Sequence, residues 1–164
     1  VHTLIERENV DGTQAVAIAD LANGRLGWAL RAAKQPELRE ERARLLEQIV
    51  ALTPATRDAR IRAAGTLAAD AENARRALDV WIWWWRDVTL AACGATHLAS
   101  AGQARRDAER QGRAIGQRQA DRFLRALLAA RAALDQNANP RLTFDVLMLD
   151  LPLLTGDGAR SPAM

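Results

Sequence analysis

Few residues in this 164-residue chain have side chains suited to catalysis, and their spacing does not favour it. Cys93 and His97 stand on either side of Gly94, and His2 lies far away near the start. A nucleophile–base pair needs a thiol or hydroxyl within hydrogen-bond reach of an imidazole, which nearness along the chain does not provide. The plainer reading is a small buried thiol at a helix end and a surface imidazole. A zinc site needs four ligands, or three and an open position, and neither histidine has a cysteine or carboxylate at ligand spacing. Asn23-Gly24-Arg25-Leu26-Gly27 lacks the lysine and the preceding strand of a phosphate-binding loop. Glu40-Glu41 fall in the early turns of an expected helix, where carboxylates complement the dipole. The chain is therefore read as non-enzymatic, with no metal, cofactor or small-molecule substrate. An enzyme of an unfamiliar helical class is the least favoured reading, because no acids and histidines converge.

Binding chemistry is better represented. Trp81-Ile82-Trp83-Trp84-Trp85 is the most unusual stretch of the sequence. At about 100° per residue, Ala74, Ala77, Leu78, Trp81, Trp84, Trp85, Val88 and Ala92 share one broad helix face, while Trp83 points nearly opposite. Tryptophan is enriched in cores and at interface centres, so Trp83 is the candidate for an external contact. Arg86 and Asp87 border this apolar run and must reach solvent or a partner charge, either within the chain or across subunits. Residues 101–131 hold eight arginines against Asp107, Glu109 and Asp121, whereas residues 1–100 balance thirteen basic against thirteen acidic groups. Arg105, Arg106, Arg110, Arg113 and Arg118 form a candidate basic patch. It reads first as a solvated helix face, then as a protein contact, and last as a nucleic-acid contact.

The elements that position these residues all read as helices. Alanine, leucine, arginine, glutamate and glutamine dominate, tyrosine is absent, and β-branched residues are sparse. Residues 1–13 are expected to be a remnant or linker, residues 14–152 a helical domain, and residues 153–164 a flexible tail. Thr13 is the expected cap of a helix over Gln14 to Leu21. A helix over Arg25 to Lys34 follows, with Gly27 inside it for a close backbone approach. Pro36 and Pro54 suit first turns, and Thr53 is the expected cap of a helix reaching Ala69 with little buried surface. Asp70 to Cys93 is one helix, apolar on two sides. Gln103 to about Gly112 and Gln117 to Asp135 follow, with Gly112 and Gly116 as possible breaks. Asn139 caps a last helix so apolar that near-complete enclosure is expected. The fold class is all-α, an irregular bundle of about six to eight helices.

Composition is ordinary for a globular domain, at 49% hydrophobic and 26% charged residues, with a formal net charge of +3. The single cysteine and the absence of a long apolar run point to a soluble, cytoplasmic chain. The start at Val1, without an initiator methionine, suggests processing or a segment of a longer polypeptide.

Three segments together resemble the C-terminal collar domain of the bacterial DNA polymerase III delta-prime subunit, a clamp-loader protein. They are Leu21-Ala22-Asn23-Gly24-Arg25-Leu26-Gly27-Trp28-Ala29-Leu30, Trp84-Trp85-Arg86-Asp87-Val88, and Leu134-Asp135-Gln136-Asn137-Ala138-Asn139-Pro140-Arg141-Leu142. Asp145 stands near the family's usual glutamate, and Leu149-Asp150-Leu151-Pro152 resembles its final Leu-Leu-Pro-like sequence. The likeness spans most of residues 14–152 in order. Trp85 replaces a usual aliphatic residue, Trp81 and Trp83 are additional, and Gln103–Gln119 matches nothing in the pattern. The resemblance implies a collar-like bundle that joins other clamp-loader subunits through their collar domains, scaffolding ATP-driven loading of the sliding clamp onto primed DNA. ATP handling would lie in modules preceding residue 1. Candidate interface residues are Trp83, Arg86, Asp87, Asn139, Arg141 and Asp145. Direct nucleic-acid contact and membrane contact are not expected. The alternative is a helical nucleic-acid-binding adaptor using the arginines of residues 105–118, with binding that weakens steeply with salt.

Overall fold

The computed structural model describes residues 1–153 apart from Asn9, Asn23, Ala101 and the side chains of Arg7, Glu8 and Gln103; the expected tail from residue 154 onward lies outside the described residues. Among the described residues every regular element is helical. The elements are α1 (His2–Glu8), α2 (Gly12–Ala22), α3 (Leu26–Lys34), α4 (Pro36–Leu52), α5 (Arg57–Leu67), α6 (Ala71–Ala92), a 3₁₀ turn (Thr96–Leu98), α7 (Gly102–Ile115), α8 (Gln117–Asp135) and α9 (Pro140–Asp150). The architecture is an irregular all-α bundle.

Local chemistry sets most boundaries. Asp70 caps α6 by accepting from the Asn73 N–H at 2.8 Å, and Asn139 caps α9 by accepting from Leu142 at 3.1 Å. Pro36 and Pro140 occupy first turns, where a missing N–H costs nothing. Gly94 and Gly116 adopt φ of 78° and 79°, ending α6 and separating α7 from α8. Two expected caps are displaced. Asp11, not Thr13, caps α2, accepting from Thr13 and Gln14 at 3.0 and 3.3 Å. Thr56, not Thr53, caps α5, while the Thr53 hydroxyl donates back to the Ile49 carbonyl at the end of α4. Threonine and aspartate compete for such roles at every turn, and the chain path decides which side chain faces the free amides. Residues 2–8, expected as part of a remnant or linker, form a helix whose Leu4 is buried.

The packing divides into two hydrophobic clusters. The larger centres on α6, which lies against α4, α7 and α8, with α5 and α9 closing the far end. Trp81, Trp85, Phe123 and Phe144 are its largest fully buried side chains. Trp85 meets Phe123 edge-on at 4.6 Å between centroids, and Trp81 meets Phe144 at 5.7 Å. The smaller cluster joins α1, α2 and α3 through Leu4, Ile18 and four alanines, and α3 carries its main contact to the bundle, through α4.

Two expectations about packing are corrected. Gly27 has nothing within 4 Å of where a side chain would begin, so it permits no close approach; Gly112 does, with the Val88 carbonyl oxygen at 2.8 Å and the Ala92 nitrogen at 3.0 Å. That glycine lets α7 lie directly on the backbone of α6. The helix of residues 57–67 is not lightly buried, because Arg60, Ala64 and Leu67 all face inward. Its Arg60 donates to the Leu52 and Pro152 carbonyls at 3.0 Å each, and also to those of Thr53 and Leu151. One guanidinium therefore satisfies the free C-terminal carbonyls of both α4 and α9.

Candidate functional site

The tryptophan run resolves into four buried or engaged rings. Trp81 donates its indole N–H to the Leu45 carbonyl at 2.9 Å. Trp84 donates to Gln111 Oε1 at 2.9 Å, and Gln111 in turn donates to Thr53 Oγ1 at 3.1 Å, linking α6, α7 and the end of α4. The Trp85 N–H is buried with no acceptor. Trp83, the candidate external contact, is half-buried, and Arg25 and Arg86 lie over its ring at 5.2 and 5.6 Å. Much of the surface available for an outside partner is thus covered by the chain itself. Arg86 pairs with Asp87 at 2.9 Å, and Asp87, buried, also accepts from the Ser100 N–H at 3.1 Å. This pair closes within the chain and fastens the segment after α6 onto that helix.

The candidate residues of the last helix are likewise engaged internally. Asn139 is the cap already described. Arg141 pairs with Asp145 at 2.9 Å and reaches the Ile61 carbonyl at 3.4 Å, leaning across Gly65 of α5. What α9 offers outward is different. Phe144, Leu147 and Met148 are buried, but Leu142, Val146 and Leu149 are 64%, 54% and 52% exposed. This corrects the expectation of near-complete enclosure: one face of α9 packs inward, and the other is an apolar strip. Beside it Ala126, Ala129, Ala130 and Ala133 of α8 line a shallow groove shared with Leu142, Thr143 and Val146. Three aligned large apolar side chains next to small ones are the knobs and holes with which helices pack.

The arginine-rich segment is largely paired. Arg110 pairs with Asp107, Arg113 with Glu109 at 3.5 Å, and Arg105 donates to the Ser100 carbonyl at 3.1 Å. Arg106 also has an interaction of its own, while Arg118 is exposed on the first turn of α8. The arrangement has the character of a solvated helix face with interleaved acids.

A third surface has no counterpart in the sequence reading. Arg25 just before α3, Trp28 and Arg31 from α3, Leu38, Arg42 and Leu45 from α4, and Arg76, Asp79 and Val80 from α6 line an open groove of about 660 Å³. Arg42 is only 9% exposed. Its guanidinium lies 5.4 Å from the centre of the Trp28 ring and hydrogen-bonds to no described residue. Burial, reinforced by the nearby Arg25 charge and opposed by Asp87, lowers its pKa to about 10. The neighbouring charges have partners. Arg76 contacts Glu41 at 3.1 Å and Glu72 at 2.5 Å, and Asp79 accepts from Arg131 at 2.9 Å. Arg42 falls in register with Leu38, Leu45 and Ile49, so its burial was legible from helical spacing; the unpaired state was not, since it depends on α3 and α6.

Among the described residues no group of three or more His, Cys, Asp or Glu side chains is placed to hold a metal. Cys93, expected to be buried, is exposed, because α6 ends before its side chain reaches the core. His97 is exposed in the 3₁₀ turn, and His2 on α1 lies 3.4 Å from Glu6. No helix of the described residues is long and apolar enough to cross a membrane. Comparison with protein-family models, with curated proteins and with solved structures finds no match.

Proposed function

We propose that this chain is a non-catalytic helical assembly domain that acts as the clamp-loader collar of a DNA polymerase III delta-prime subunit. In that role it scaffolds the loading of a sliding clamp onto primed DNA, and ATP chemistry belongs to other modules. The observation that carries the reading is the apolar strip of Leu142, Val146 and Leu149 beside the alanine groove of α8. A polar last helix would be an ordinary surface; this one displays side chains at the spacing used for helix packing. The Leu134 to Leu142 segment that leads into this strip is also one of the three carrying the family resemblance. Inner faces of α9 already bury Phe144, Leu147 and Met148, so the outer strip is surplus to the chain's own core.

The test mixes the chain with collar domains of the other clamp-loader subunits and measures mass by light scattering. A heteromeric complex at tens of micromolar is expected. The double variant Leu142→Glu, Val146→Glu should abolish it while helical circular dichroism stays unchanged, because both side chains are exposed. A wild-type chain that remains monomeric in every mixture overturns the reading.

A further inference from the structure

We propose that the groove between α3, α4 and α6 is a binding site for a small molecule carrying one oxyanion group, a phosphate or carboxylate, on a flat or apolar body. Arg42 would hold the anion, with Arg25 and Arg31 beside it and Trp28 as the wall for the body.

The charges of the groove are not evenly matched. Seven charged side chains line the groove: Arg25, Arg31, Arg42 and Arg76, against Glu41, Glu72 and Asp79. Arg76 is matched by Glu41 and Glu72, and Asp79 by Arg131 from outside the groove. Arg25 spends its Nε on the Ala22 carbonyl, at 3.5 Å, and Arg31 is exposed without a described partner. Arg42, only 9% exposed, remains with an aromatic face and no acceptor among the described residues. A guanidinium carries five donors in a planar fork that matches the paired oxygens of a carboxylate or phosphate. A mostly buried guanidinium without a carboxylate or carbonyl partner is costly to keep charged, and an arriving oxyanion offsets that cost.

The same inventory limits the ligand. The three carboxylates stay on the groove walls, so a string of phosphates would meet like charge; one anionic group fits and a nucleic-acid backbone does not. Trp28, Leu38, Leu45 and Val80 supply apolar wall on either side of the charge. A groove of about 660 Å³ lies within the range of small-molecule sites. This inference is independent of the assembly reading, because α9 and its strip contribute nothing to the groove.

Calorimetric titration and thermal unfolding test it, using inorganic phosphate, phenyl phosphate and benzoate at ionic strength held constant with sodium chloride. Phenyl phosphate or benzoate should bind one per chain and raise the unfolding midpoint, and inorganic phosphate should bind more weakly for want of a body to lay on Trp28. The tighter of the two aromatic ligands identifies the headgroup as phosphate or carboxylate. Arg42→Met should weaken binding by about tenfold or more, the worth of a charge-assisted hydrogen bond. Arg31→Gln, an exposed change, should weaken it by a smaller factor. No stabilisation by any of the three probes beyond that of chloride overturns the proposal, as does wild-type affinity in Arg42→Met. If Arg42→Met does not fold, unchanged binding in both Arg31→Gln and Arg25→Gln overturns it instead.

Discussion

The two hydrophobic clusters of this molecule are built from different materials. The larger one packs three tryptophans, two phenylalanines and a set of leucines around α6, and ties them with indole and guanidinium hydrogen bonds to backbone carbonyls. The smaller one has Leu4 and Ile18 as its large fully buried members, otherwise alanine, with Val10, Trp28 and Leu30 only partly buried against it. Burying a large apolar side chain contributes about 1.5–3 kcal/mol, and alanine far less. The larger cluster is thus the folding unit, and α1 to α3 form an appendage whose stability depends on it. Two cation–π contacts, Arg25 on Trp83 and Arg42 on Trp28, bridge the two. A weakly held lobe over a groove with an unmatched cation is suited to respond to a ligand, because low local stability makes small binding energies count.

The sharpest way to break this comparison is a matched pair of deletions. Phe123→Ala should cost about 3–5 kcal/mol in global stability, read from urea unfolding. Leu4→Ala should leave the global transition nearly in place and accelerate amide exchange in α1 to α3 alone. If Leu4→Ala shifts the global midpoint as Phe123→Ala does, the lobe and the bundle are one cooperative unit. Next in size, Arg60→Met should destabilise by roughly 2–4 kcal/mol, since it strands buried carbonyls at the ends of α4 and α9. The same substitution within the junction, Arg42→Met, should have the opposite sign and stabilise by roughly 1–2 kcal/mol at neutral pH, because it removes an unmatched buried charge.

The pH dependence follows from the lowered Arg42 pKa. The unfolded chain holds this proton to higher pH than the folded chain, which releases it at about 10. The penalty is therefore complete below about pH 10 and fades as the pH rises from there toward the ordinary guanidinium range. The stability gap between Arg42→Met and wild type should narrow above pH 10 in alkaline unfolding series. The smallest contrast is between two glycines. Gly112→Ala should cost about 1–3 kcal/mol by forcing α7 off α6, while Gly27→Ala, in open space within a helix, should stabilise by up to ~1 kcal/mol. Thermal melts of both variants read the difference directly.

Much of the fold is legible in the residues. The face of α6 from Ala74 to Val88 is buried where helical spacing places it, and Asp70, Asn139, Pro36, Pro140 and Gly94 mark boundaries through their own backbone preferences. Those are local effects, and a sequence contains local effects in full. The misread positions are those with more than one local option. Asp11 and Thr13 can each cap, Gly27 and Gly112 can each admit a neighbour, and Leu142, Val146 and Leu149 are as apolar as the buried residues of the same helix. Which glycine receives a backbone, and which side of α9 faces the core, is set by where other helices run.

The arginines draw the same line most clearly. Composition determined that this chain is helical, rich in guanidinium and short of nucleophiles. Tertiary structure alone decided that Arg60 would meet four carbonyls, that Arg86 would reach the Leu98 carbonyl, and that Arg42 would find no acceptor among the described residues. Each is a long side chain on a helix, identical in local propensity. Its energy depends on which dipoles and charges distant segments bring within hydrogen-bond reach, and nothing in the spacing along one helix carries that information.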